Sequence, residues 1–235
     1  MPVNSVKETA LQQETPLNPI PPVVLLAVLA MIAVEVVLGL AAQGIVGGQQ
    51  GIGWRIRAWE DYAFAPRVVE LVAERGVWSA DLLARFVTYP FVHASVTHAA
   101  FAVVITLAMG KFAGEVLTGF ALGALMLACT VLSALFYGLV VSDNVPLFGA
   151  YPLAYGLIGA YTYILWLHLG RRGERQIAAF RLIGFLFVLQ IVYAMLFGSN
   201  PQWIAELAGF VIGFALTPLL VPGGWTALLM KLRTR

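Results

Sequence analysis

The side chains here that could do chemistry lie in apolar surroundings, and few are spaced to act together. His93 and His98 stand five residues apart, with Ser95 and Thr97 between them. An imidazole beside a hydroxyl is the pairing that activates a serine-type nucleophile. On one helix, however, two rings at that spacing point about 140° apart, a poor arrangement for a shared metal. Hydroxyls at a helix start also serve commonly as caps, accepting from the first turn's open N–H groups. The third histidine, His168, reads as structural. Three histidines and the lone Cys129 argue against a structural zinc site, and one cysteine forms no internal disulfide.

Two acids, Glu35 and Glu206, and a phenol, Tyr151, fall inside apolar runs. A charge near the middle of a membrane helix costs roughly 2.5 to 3.5 kcal/mol, so such an acid must be protonated, hydrogen-bonded or hydrated. Glu35, between Val34 and Val36, is either a functional group facing a partner's helix or a carboxyl bonded to a backbone carbonyl. Glu206 follows Asn200, Pro201 and Gln202, so reaching water at the membrane surface is the plain alternative to a buried polar role. Tyr151 lies near the start of its run, where an interfacial aromatic is equally expected. A phenol has an ordinary pKa near 10 and attacks poorly at neutral pH without strong activation.

The elements that must position these groups are membrane spans. The chain is 60% hydrophobic and 11% charged, against roughly 45–50% and about 25% in soluble domains. A net charge of +2 offers no case for nucleic acid. About 20 apolar residues cross a bilayer as a helix. Six segments qualify, at 20–42, 89–109, 119–141, 147–169, 177–197 and 203–221. The expectation is an all-α polytopic membrane protein: a tail at 1–19, a six-helix domain at 20–221 and a basic tail at 222–235. The tail at 1–19 is polar, and the apolar run after it is too long for a signal-peptide core.

Of the 14 Lys and Arg residues, nine fall on one side: Lys7, Lys111, Arg171, Arg172, Arg175, Arg181, Lys231, Arg233 and Arg235. That side is expected to be the cytoplasm, with both termini in it. The other five lie in or beside a long outer loop at about 43–84. Within that loop, Pro66 and Gly76 bracket a short amphipathic helix expected to lie on the outer leaflet, with Val68, Leu71 and Val72 on its apolar face. Trp54, Trp59, Tyr62 and Trp78 are aromatics of the interfacial kind.

Glycines recur at packing spacing: Gly110/Gly114, Gly119/Gly123, Gly149/Gly156 and Gly209/Gly213. Two of these pairs frame the segments GAYPLAYG at 149–156 and AELAGFVIG at 205–213. These resemble the GxSGxxxG and AHxxGxxxG segments of the rhomboid family of intramembrane serine proteases. The stretches RFVT at 85–88 and FVHA at 91–94, the His93/His98 spacing and Glu115 with Gly119 are similar to further family motifs, in the family's order. The resemblance implies a six-helix rhomboid-like bundle with a large, membrane-associated first loop. It places Tyr151 and Glu206 at the positions of the catalytic serine and histidine. His98 takes the place of an oxyanion-site histidine, and Ala102 that of an oxyanion-binding Asn. Pro152 replaces a glycine and removes a backbone N–H. Nucleophile, base and oxyanion support are altered together.

The resemblance therefore implies a vestigial dyad and no catalytic residues. A hydrogen bond between Tyr151 and Glu206 is expected in its place, with His93, Glu35 and Glu115 as further polar-core or client-binding candidates. No cofactor or metal is called for. The implied function is to hold transmembrane segments of client membrane proteins, among membrane lipids, without cutting them. The short loops suit a bacterial inner membrane. Competing readings are a divergent protease using Ser95, or Thr97 with His98, a proton path through the intramembrane acids, and a structural subunit of a membrane complex. Nothing in the sequence specifies an oligomer.

Overall fold

Six apolar stretches fold into helices long enough to cross a membrane, and amphipathic loop segments pack over one end of them. The computed structural model describes residues 19–224. Helix α1 spans Pro22–Ala42. The loop after it holds α2 (Gly48–Gly51), α3 (Trp54–Tyr62), α4 (Pro66–Val69), which runs into a π turn at Glu70–Glu74, and α5 (Ala80–Thr88). The remaining spans are α6 (Val96–Gly114), α7 (Gly119–Val140), α8 (Tyr151–Arg171), α9 (Arg181–Phe197) and α10 (Trp203–Leu220). The chain is an integral membrane protein.

Local chemistry sets two span boundaries that hydropathy places too early. The second span begins at Val96 rather than residue 89, because Pro90 lies in a 3-10 turn and the Ser95 hydroxyl caps the helix by accepting from His98 N–H at 3.2 Å. The fourth begins at Tyr151 rather than 147. There Leu147 pairs with Phe64 in a two-residue antiparallel bridge, and Gly149 takes a φ of +87° that a side chain disfavours.

Helix α8 is the central rod, buried at every residue from Pro152 to Ala160 and packed on α6, α7 and α10. Apolar burial gains little between helices surrounded by lipid, so close backbone approach has to supply the attraction. The expected glycines do this. A Cβ at Gly209 would overlap the Pro152 carbonyl, one at Gly213 the Gly156 carbonyl, and one at Gly156 the Cys129 thiol. Gly110 and Gly114 likewise receive Val24 of α1 and Pro21 just before it. Gly119 is different: it heads α7 with open space around it, and so takes no part in helix packing.

The loop helix from Pro66 departs from expectation. Its apolar face does not lie free for the membrane surface; Val68 and Val69 are buried against α7, beside Phe64, Tyr89, Ala134 and Tyr137. Gly138 on α7 makes room for them, since a Cβ there would overlap Val69. Tyr89 closes this cluster from below by donating its hydroxyl to the Thr130 carbonyl at 3.0 Å.

Candidate functional site

The turn that starts α8 organises the site. Gly149 N–H donates to the Tyr89 carbonyl at 2.9 Å, and Ala150 N–H donates to His93 Nε2 at 3.3 Å. A Cβ on Gly149 would press 2.7 Å from His98 Cε1 and 3.4 Å from His93 Cδ2, so the glycine lets the backbone sit against both imidazoles. The rings stand edge to face with centroids 5.6 Å apart. The 140° separation expected on one helix does not apply, because His93 precedes the first turn of α6. His98 Nδ1 accepts from Ala94 N–H at 3.3 Å, folding the histidine back over its own cap.

Since Nε2 of His93 accepts, its neutral tautomer carries the proton on Nδ1. That nitrogen is buried and makes no hydrogen bond within normal limits among the described residues. Burial, followed by the neighbouring His98, pushes the His93 pKa down to about 4, with Arg55 adding in the same direction against an opposing Phe91 backbone contact. His93 is therefore neutral at physiological pH.

A second layer holds His93 from the loop. Arg55 Nη1 donates to the His93 carbonyl at 2.8 Å, and Trp59 Nε1 donates to the same oxygen at 3.3 Å. Arg55 also forks onto Glu35, at 2.6 and 3.0 Å. Glu35 thus does not face a partner's helix, nor is it bonded to a carbonyl; its own chain supplies the countercharge. Trp59 stacks on Phe148 with centroids 5.1 Å apart, and Phe148 meets the edge of His98. Of the aromatics expected at the interface, Trp59 thus lines the site, while Tyr62 and Trp78 are exposed.

Tyr151 packs its ring on His98 at 4.7 Å and donates its hydroxyl to the His98 carbonyl at 3.3 Å. Glu206 accepts a hydrogen bond from the Gln190 amide of α9. The expected Tyr151–Glu206 bond is therefore not made. Ala102 is fully buried beside Ala150 and Leu153 and offers no donor. Glu115 belongs elsewhere: it is exposed at the C-terminal cap of α6, a full span from His98.

The geometry thus gathers His93, His98, Tyr151 and Gly149, joins Glu35 to them through Arg55, and leaves Glu115 out. Glu206 stands at the margin with Gln190. Sequence reasoning missed Arg55, Trp59, Phe148 and Gln190. Gln190 carried a signal, as the one uncharged amide in the apolar run of α9; Arg55 carried only that of one loop arginine among five. Chemically, no described hydrogen bond joins the Ser95 or Tyr151 hydroxyl to an imidazole or carboxylate side chain. Ser95 is committed to its cap, and the Tyr151 hydroxyl to a carbonyl. Among the described residues, no group of three or more His, Cys, Asp or Glu is assembled as metal ligands.

Comparison with individual curated proteins returns no match. A family model described as Rhomboid domain matches residues 80–223, which runs from α5 past the end of α10 and covers more than half of the chain. With six membrane-length helices around a central α8, this establishes that the chain belongs to the rhomboid family.

Proposed function

We propose that this rhomboid-family chain is not a protease but binds transmembrane helices of client membrane proteins in a bacterial inner membrane, with both termini in the cytoplasm. The observation that carries the reading is the state of the two dyad positions. The phenol of Tyr151 is spent on the His98 carbonyl, and Glu206 on Gln190. Peptide cleavage by this route needs a nucleophile whose proton passes to a base and then to the leaving amine. It also needs donors aimed at the oxyanion. Neither bonded group is placed to exchange a proton with the other, Pro152 has no N–H, and Ala102 has no side-chain donor. Helix binding asks less: a bundle that accepts a neighbouring helix from the lipid, without water or a nucleophile.

The test is to reconstitute the full chain with fluorescent single-span substrates and follow both association and chain length. The expected outcome is crosslinking to intact substrate with no fragments. Fragments that vanish on Ser95→Ala or Thr97→Ala would overturn the reading.

A further inference from the structure

Two carboxylates are set into the spans, and the chain treats them differently. Glu35 has a cation of its own, Arg55, at 2.6 Å. Glu206 has only the neutral amide of Gln190, and among the described residues no Lys, Arg or His reaches within 4.0 Å of it. An amide satisfies one lone pair but supplies no countercharge, so in surroundings of low dielectric ionising this acid carries a cost that a nearby cation would remove.

The two sides of this bond also differ in how firmly they are held. Glu206 projects from the first turn of α10, a helix locked to α8 through Gly209 and Gly213. Gln190 comes from α9, none of whose described residues is buried. Helix α9 packs through Leu182, Ile183 and Leu186 near its start; beyond them Val188, Leu189, Ile191 and Val192 are exposed. The acid is fixed, while its partner sits on a helix with little holding it at that level. The apolar groove between α7 and α10, lined by Phe136, Val140, Leu207 and Val211, lies on the other face of α10 and offers no acid.

We infer that Glu206 is a docking acid, and that the clients it selects are transmembrane helices carrying a Lys or Arg about one turn inside their end on that side. The client cation replaces Gln190 as the carboxylate's partner and supplies the missing countercharge, with the client lying along the exposed half of α9. The depth follows from Glu206 lying three residues into α10, about 4.5 Å below its start. A long basic side chain reaches that level while keeping its stem in the apolar layer. This inference rests on the client-binding reading above.

The experiment uses the full chain in phosphatidylcholine vesicles, with synthetic helices of about 20 apolar residues. The helices carry Lys, Gln or Leu one turn from the end, or Lys two turns deeper, and binding is read by energy transfer. The Lys helix is expected to bind roughly tenfold more tightly than the Leu helix, and the deeper Lys to lose that advantage. In Glu206→Gln the advantage should fall below about twofold; in Gln190→Leu it should persist or grow. Equal binding of Lys and Leu helices, or an advantage that survives Glu206→Gln, overturns the docking acid while leaving client binding intact. Failure of every helix to bind the wild-type chain overturns both.

Discussion

Removing Arg55 should hurt this protein more than removing Glu35, and the reason lies in what each leaves behind. The pair is nearly dry, with side chains 16% and 8% exposed for Arg55 and Glu35. In Arg55→Gln, a carboxylate stays inside α1 without its cation, and the His93 carbonyl loses its charged donor. Breaking a buried pair in this way costs roughly 3 to 5 kcal/mol when no water is near. Partial exposure of Arg55 argues for the low end, about 3 kcal/mol. In Glu35→Gln, by contrast, Arg55 keeps the His93 carbonyl and lies in a loop helix within reach of water, so about 1 kcal/mol is expected. The double variant should be no worse than Arg55→Gln alone, because the uncompensated carboxylate has gone. Reversible unfolding in mixed micelles, followed by tryptophan fluorescence, gives all three values and their coupling. Two results would refute the reasoning: a Glu35→Gln variant as damaged as Arg55→Gln, or a double variant equal to the sum of the singles.

Four further outcomes follow from the site and the packing. Gly209→Leu places side-chain atoms against the Pro152 carbonyl, a backbone group that cannot yield, and should lower stability by about 3 kcal/mol or abolish folding. Gly119→Ala, in open space, should change it by less than about 0.5 kcal/mol in the same unfolding assay. His93 has its pKa lowered from 6.5 to about 4, so between those values the unfolded chain binds the extra proton. Stability should accordingly be unaffected by this group above pH 6.5 and fall as pH drops toward 4, by roughly 3 kcal/mol in total. His93→Gln should flatten that part of a pH series; an unchanged slope would contradict it. Tyr151→Phe should cost about 1 kcal/mol, whereas Glu206→Gln, which removes an acid without a countercharge and keeps an acceptor for Gln190, should be neutral or stabilising; the two should combine additively within about 0.5 kcal/mol, since the groups are bonded to different partners. A coupling above about 1 kcal/mol would mean that they share a bond after all.

What could be read before any coordinates were those features that repeat along the chain or act by size. The six spans follow from runs of apolar residues that only a helix satisfies in lipid. The α8–α10 contact follows from Gly156, Gly209 and Gly213, because close backbone approach demands residues without Cβ atoms wherever the partner lies. Span starts were less legible where a proline turn or a positive φ intervenes, as at Pro90 and Gly149, since hydropathy does not register backbone direction. Least legible were contacts between distant segments. Pro66 begins a sequence with an apolar face, but amphipathicity says only that the face is covered, not whether by lipid or by α7. Glu35 and Arg55 lie 20 residues apart on different elements, and nothing periodic links them.

The dyad positions show the same limit in sharper form. Motif order correctly brings 151 and 206 to facing helices, yet position alone does not choose a hydrogen-bond partner. A serine at 151 would keep its oxygen close to the start of α8. A tyrosine carries its oxygen a ring's length outward, over His98, where the carbonyl of the first turn of α6 accepts it. Glu206 is left facing α9, and the one amide of that helix takes the bond. Tyr151 and Glu206, expected to bond each other, have thus separated into two bonds: one closes the site against α6, and the other ties the bundle's least buried helix, α9, to α10. The docking acid proposed above accordingly belongs to the second bond, on α10, and not to position 151.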